Sequence, residues 1–119
     1  MVKELGKSTD ITGTYRHFKG NNYEVLGEAV EENGNERYIF YRQLYDPFSF
    51  WIKPKPMFFE KKKVGDIFID RYNKIAEGQK DILTKVNLSE IIVRHTETED
   101  EYRISKIDRG IFIIRKMEH

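Results

Sequence analysis

The chain has 119 residues, a formal net charge of +1 and no cysteine. This length suits one domain, because two separate cores of about 60 residues would each bury too little surface. The lack of cysteine excludes a disulfide framework, a thiolate zinc site and a cysteine nucleophile. The near-neutral charge argues against a protein that binds duplex nucleic acid. No apolar run approaches the roughly 18 residues of a membrane span, so we expect a soluble, cytoplasmic protein that makes no membrane contact.

Short strands are predicted along the first half of the chain, where β-branched and aromatic residues alternate with turn formers. Residues 14–19 and 23–30 predict a hairpin, and Asn33-Gly34 favours a two-residue type I′ turn into the next strand. The strand at 37–44 alternates between two faces, with Tyr38, Phe40 and Arg42 on one face and Ile39, Tyr41 and Gln43 on the other.

Two prolines mark the end of this series of strands. Pro54 and Pro56 remove two backbone donors, so a central strand cannot continue through them, and a short strand is predicted at 57–63. Strands at this spacing, with little room for a helix, predict a small antiparallel barrel over residues 13–63. Residues 1–12 show no apolar period and are predicted to be a flexible arm.

The remainder of the chain, residues 64–119, is predicted to be an extension packed on the barrel. Its first part is ambiguous, because residues 67–77 suit either a strand or a short helix, and residues 79–88 are weakly helical. The end of the chain is clearer and predicts a three-stranded β-meander, with strands near residues 90–96, 101–107 and 111–116.

The last predicted strand is apolar on both faces. Residues 111–114 read Ile-Phe-Ile-Ile, a run that needs burial on both sides. The meander must therefore pack on the barrel or on a second copy of itself, and an uncovered edge of this kind favours a homodimer through residues 90–116. A protein-interaction function through the meander is one alternative for the whole chain.

Aromatic and cationic side chains recur along the predicted barrel. Alternation places Tyr15, His17 and Lys19 on one strand face, and it places Trp51 and Lys53 together on a face of a later strand. The candidate ligand-binding residues are Tyr15, His17, Lys19, Arg42, Tyr45, Trp51 and Lys53.

Such a set of rings and cations suits a planar, anionic ligand. If strand pairing brings them together, we expect a binding module for single-stranded nucleic acid or a nucleotide, with no cofactor. The competing interpretation is structural: the rings are buried and the Lys and Arg stems cover apolar surface. The basic run at residues 61–63 is typical of a solvated turn.

Catalysis is the second alternative. A small hydrolase would need His17 beside a carboxylate such as Glu24 or Glu60, a pairing that the sequence does not reveal. The other two histidines, His95 and His119, lie far from His17 in the chain, so no metal site is predicted.

Three blocks of the first half resemble a known family. They are Gly13-Thr14-Tyr15-Arg16-His17-Phe18-Lys19-Gly20-Asn21-Asn22-Tyr23-Glu24-Val25-Leu26-Gly27, Tyr41-Arg42-Gln43-Leu44-Tyr45, and Trp51-Ile52-Lys53-Pro54 with Met57-Phe58-Phe59-Glu60. In this order and spacing they are similar to the bacterial family called domain of unknown function 1653.

The resemblance covers about residues 13 to 63, with a weak continuation to Arg71-Tyr72. It implies a short, cytoplasmic, β-rich protein with an SH3-like barrel, and it implies no activity. The sequence departs from the family pattern in its glycine-poor loop at residues 46–49 and in the residues that follow the barrel.

Overall fold

A computed structural model describes residues 11–78 and 86–118 of the chain. This part of the chain consists almost entirely of strands joined by short turns, with one helical turn. The strands are β1 (Gly13–His17), β2 (Asn22–Glu31), β3 (Tyr38–Gln43), β4 (Phe50–Pro54), β5 (Lys61–Val64), β6 (Ile67–Asp70), β7 (Tyr72–Ala76), β8 (Val93–His95), β9 (Glu101–Asp108) and β10 (Ile111–Lys116), and the helical turn is α1 (Lys55–Phe58). No helix among the described residues is long and apolar enough to cross a membrane.

Six of the strands close into a barrel in the order β2-β3-β4-β8-β9-β10, because β10 pairs both with β9 and with β2. The predicted all-β class, the SH3-like barrel and the three-stranded meander are confirmed. The predicted domain boundary near residue 63 stays a prediction, and the ring takes three of its strands from each side of that boundary.

The ring contains two parallel joints, β4 with β8 and β10 with β2, and its other four joints are antiparallel. Each half of the ring is a three-stranded antiparallel unit, so its outer two strands run in the same direction. The outer strands of both halves share one direction, so the two joints between the halves are both parallel.

Strand β2 pairs with three other strands of the sheet. Its first half pairs with β1 and its second half pairs with β10 on the same edge, while β3 occupies the opposite edge. A register shift between Val25 and Gly27 separates the two halves. Gly27 has φ of +151°, and a Cβ at this position would lie 3.0 Å from the ring of Phe112. Glycine is therefore required where β10 approaches β2.

The alternation predicted for residues 37–44 is confirmed. Tyr38 and Phe40 lie in the core inside the barrel, whereas Ile39 and Tyr41 lie in a second apolar layer on its outer surface. Phe58 of α1 is fully buried in this outer layer. Strands β1 and β7 extend the sheet beyond the ring, and the β5–β6 hairpin forms a separate two-stranded sheet.

Three local predictions are corrected by the structure. The type I′ turn at Asn33-Gly34 is wrong, because neither residue adopts the left-handed conformation that this turn requires and β3 begins only at Tyr38. The strand predicted at residues 57–63 begins at Lys61, because the first turn of a helix accepts the proline at position 56. The open alternative at residues 67–77 is resolved as the two strands β6 and β7.

Two predictions fall largely outside the described residues: the flexible arm at 1–12 and the weak helix at 79–88. The homodimer through residues 90–116 stays a prediction. Its rationale was an uncovered edge, and in the structure β8, β9 and β10 each have a partner strand on both sides.

A buried residue of the meander tests whether the ring is one cooperative unit. Ile114 is fully buried in the barrel core, whereas Ile107, on the neighbouring strand β9, is 48% exposed. We expect Ile114→Ala to lower the free energy of unfolding by about 2–5 kcal/mol and Ile107→Ala to change it by less than about 1 kcal/mol. Urea unfolding followed by far-UV circular dichroism and by the fluorescence of Trp51, the single tryptophan, measures both.

The two probes are expected to shift together in the Ile114→Ala variant, since Trp51 and Ile114 belong to one ring. If the Trp51 fluorescence midpoint of the Ile114→Ala variant stayed at the urea concentration of the unmodified protein while circular dichroism showed a separate transition at lower urea, the ring would not unfold as one cooperative unit.

Candidate functional site

The outer face of β2, β3 and β4 carries a continuous set of polar-tipped aromatic side chains. The strand register pairs Tyr15 with Tyr23, Tyr23 with Gln43, and Tyr41 with Trp51, so these side chains share one face of the sheet. Strand β7 adds Tyr72, which pairs with His17 of β1. Strands β1 to β4 and the edge strand β7 thus build this face together.

Four tyrosines on this face contact one another, and we call them the tyrosine cluster: Tyr23, Tyr41, Tyr45 and Tyr72. The Tyr23 ring lies 5.5 Å, 5.6 Å and 5.7 Å from the rings of the other three, each in edge-to-face geometry. The hydroxyls of Tyr23 and Tyr45 share a hydrogen bond of 2.8 Å, and a side-chain hydrogen bond joins Tyr41 and Tyr72.

Burial keeps the phenols of this cluster protonated. Loss of solvation is the main cause that raises the pKa values of Tyr23, Tyr41 and Tyr72 above the ordinary value of 10.0. At neutral pH these three side chains therefore offer neutral hydroxyl groups and bring no negative charge to the surface.

The cluster rests on the helical turn α1. The rings of Phe58 and Tyr72 stack with their centroids 4.1 Å apart and their planes within 5°. Lys55 and Pro56 open α1, and proline is accepted in a first helical turn because its missing N–H would have no helical partner there. The turn thereby places Phe58 beneath the cluster.

A group of cations and rings adjoins the cluster, and we call it the His17 patch: His17, Phe18, Lys19, Lys62 and Arg71. The His17 ring lies 4.6 Å from the Phe18 ring and 4.8 Å from the Tyr72 ring. The ammonium groups of Lys19 and Lys62 lie 5.8 Å and 6.0 Å from the centroid of Phe18, within the range of a cation–π contact.

The electrostatic potential at His17 is positive. Burial, followed by the charges of Arg71, Lys19, Lys53 and Lys62, lowers the pKa of His17 below its ordinary value of 6.5. Its Nδ1 atom accepts a hydrogen bond of 3.1 Å from the backbone N–H of Lys19. His17 is therefore mainly neutral at pH 7, and the cations around it favour an anion.

Trp51 is linked through Gln43 to Tyr45 of the tyrosine cluster. The indole N–H of Trp51 donates to the Gln43 side chain at 2.7 Å, and the Gln43 amide donates in turn to the backbone oxygen of Tyr45 at 3.2 Å. Both rings stay partly exposed, Tyr45 to 37%. Lys53 shares the Trp51 face of β4, and its ammonium is paired with the carboxylate of Glu97 at 3.0 Å.

The structure thus brings four of the seven sequence-predicted residues to one exposed surface: His17, Lys19, Tyr45 and Trp51. Tyr15 and Lys53 share this side of the sheet but are buried, with 6% and 9% exposure, and the Tyr15 hydroxyl donates to the backbone oxygen of Ile11. Arg42 lies on the opposite side of β3, with its guanidinium 4.8 Å from the centroid of the Phe50 ring.

Sequence reasoning missed several members of the tyrosine cluster and the His17 patch, namely Phe18, Tyr23, Tyr41, Lys62, Arg71 and Tyr72. Phe18 and Tyr23 lie within the first sequence block that resembles the family, so their presence in that block was the available signal. Lys62 was predicted to be a solvated turn residue. Only the three-dimensional fold shows that it reaches Phe18.

The two carboxylates considered for a hydrolase have other partners. Glu24 accepts a hydrogen bond of 2.6 Å from Thr14, and this pair lies on the opposite face of β1 and β2 from His17. Glu60 pairs with the Arg71 guanidinium at 3.2 Å. The geometry therefore gives no support to acid–base catalysis by His17 with either residue.

A sequence profile described as "Protein of unknown function (DUF1653)" matches residues 13–74. A crystal structure of a protein belonging to DUF1653 from Bordetella bronchiseptica is similar in fold, with a TM-score of 0.51 and 24% identity over 57% of this chain and 90% of that chain. No curated protein matches the chain. The matched profile ends at residue 74, so it includes the His17 patch and the tyrosine cluster but not β8–β10.

The charges around His17 give a prediction for its titration. In the Lys19→Gln/Lys62→Gln double variant we expect the pKa of His17 to rise toward 6.5, because two of the cations that disfavour imidazolium are removed. NMR titration of the assigned His17 imidazole measures this shift. Lys106→Gln, which removes an exposed lysine on β9, should leave the His17 pKa unchanged. An unchanged pKa in the double variant would mean that these two lysines do not act on His17.

Proposed function

The chain belongs to the DUF1653 family of proteins of unknown function, and for this member of the family we propose a non-enzymatic binding function. The proposed ligand is a single-stranded nucleic acid, held by the His17 patch through its phosphates and by the neighbouring aromatic side chains through its bases.

One observation carries this proposal: two lysines with no carboxylate partner converge on one aromatic ring. Lys19 and Lys62 both approach Phe18, and neither forms an ion pair with any described residue. Five other described lysines pair with carboxylates: Lys53, Lys55, Lys61, Lys74 and Lys116. Lys63 and Lys106 have no such partner among the described residues either, so the distinguishing feature of Lys19 and Lys62 is their convergence on one ring. The charges of these two lysines are thus available to an external anion.

The aromatic side chains supply the second half of the interaction. Proteins that bind single strands combine a cationic track for the backbone with rings on which bases stack. Here Tyr45, Trp51 and Phe18 have partly exposed rings, and Phe18 contacts Lys19 and Lys62. Hydrogen bonds and ring contacts hold Tyr45 and Trp51 in place, which reduces the entropy lost on binding.

The overall charge favours a single strand over a duplex. A net charge of +1 gives no extended positive face for duplex phosphates. Four cations, Lys19, Lys53, Lys62 and Arg71, instead act together on His17 beside the rings. Bases in a duplex are stacked on each other and cannot reach such rings. The expected binding is therefore local and tolerant of sequence.

Fluorescence anisotropy with a labelled oligouridylate, measured over a series of salt concentrations, tests the proposal. We expect binding at low salt that weakens as salt rises, and quenching of Trp51 when the oligonucleotide is added. In the Lys19→Gln/Lys62→Gln variant the salt slope should fall by about 0.7 for each lysine that contacts a phosphate.

Lys106→Gln is the matched control, because it removes the same charge from a strand outside this surface. Its affinity should equal that of the unmodified protein. Absence of binding at low salt, or an equal loss of affinity in the control and the double variant, would overturn the proposed function.

A further inference from the structure

A second concave site lies at the seam where β10 joins β2, away from the His17 patch. Its volume is about 540 Å³, within the range of roughly 300–1,000 Å³ that is typical of small-molecule sites. Glu28 and Ile111, which pair in the parallel β2–β10 joint, both line the site. Its lining shares no residue with the His17 patch or the tyrosine cluster.

The charges in this pocket do not balance. Its only carboxylate, Glu28, accepts from the Lys55 ammonium at 2.7 Å and lies 3.4 Å from the Arg37 guanidinium. A third cation, Arg109, also lines the pocket, and it has no ion-pair or hydrogen-bond partner among the described residues. Three cations thus face one anion, and a dianionic ligand would neutralise the excess.

The backbone conformation at Arg109 is unfavourable for an arginine. Arg109 and Gly110 have φ of 54° and 82° and form the tight turn between β9 and β10. Positive φ suits glycine and asparagine, whereas arginine is disfavoured there. An arginine at this position is therefore unexplained by the turn, and the residue lines a pocket that holds excess positive charge.

Part of the pocket wall is apolar. Ile11, Leu26 and Ile111 line it together with the cations, so the site suits a ligand that has an anionic head and an apolar or planar body. We propose that this pocket binds a small phosphomonoester, such as a nucleoside monophosphate. A phosphomonoester carries a charge of about −1.5 to −2 at pH 7, and arginine side chains bind its oxygens in bidentate geometry.

NMR titration of the full chain with adenosine monophosphate tests this site, with adenosine and inorganic phosphate as comparison probes. We expect the largest amide shifts at residues 26–28 and 109–111. Adenosine monophosphate should bind more tightly than either comparison probe, because each lacks one half of the ligand. Adenosine binding as tightly as adenosine monophosphate, or shifts confined to the His17 patch, would overturn the proposal.

The decisive variant is Arg109→Asn, because asparagine tolerates the left-handed backbone and removes the guanidinium. We expect it to keep or raise the thermal midpoint while it weakens the binding of adenosine monophosphate about tenfold. Arg103→Gln, at an exposed arginine of β9 outside the pocket, should bind normally. Unchanged affinity in Arg109→Asn, with the fold intact, would show that Arg109 has no role in binding.

Discussion

The parallel pairing of β10 with β2 is the interaction on which the rest of the structure depends. It joins the two ends of the six-stranded ring and gives β10 a partner on both sides. The first half of β2 pairs with β1 and its second half pairs with β10. This one strand therefore contributes residues both to the barrel core and to the outer aromatic layer. Gly27 permits this double role, since a side chain at its position would contact Phe112.

Closure of the ring allows the outer faces of β2, β3 and β4 to carry a second layer of aromatic side chains. With the inner faces of β2, β3 and β4 filled by the barrel core, their outer faces support a second layer of rings on a rigid base. The layer is only partly covered, by α1 and by β7, so Trp51, Tyr45 and His17 keep contact with solvent. The cations at its rim act on His17 as a group, because the buried layer beneath them screens charges poorly.

The sequence predicts which face of its strand a residue occupies far better than it predicts which strands pair with each other. Alternation correctly separated Tyr38 and Phe40 from Ile39 and Tyr41, because the two-residue period of a strand is a local property. The predicted site grouped Arg42 with Trp51, whereas the structure places them on opposite faces, because Trp51 pairs with Tyr41 and Arg42 with Phe50. The parallel joints and the approach of Lys62 to Phe18 depend on contacts between distant segments, which no local pattern records. Asn33-Gly34 shows the limit of local rules as well, since the longer loop from β2 to β3 does not use the predicted turn.

Native-state hydrogen exchange tests most directly whether β10 closes the ring. The amide protons of residues 28–31 and 111–114 should exchange only through global unfolding, with the same free energy as those of β3, because all of them belong to one ring. Exchange of the β8–β10 amides at a clearly lower free energy, with β3 still protected, would show that the meander opens independently. The barrel would then not depend on the β2–β10 joint.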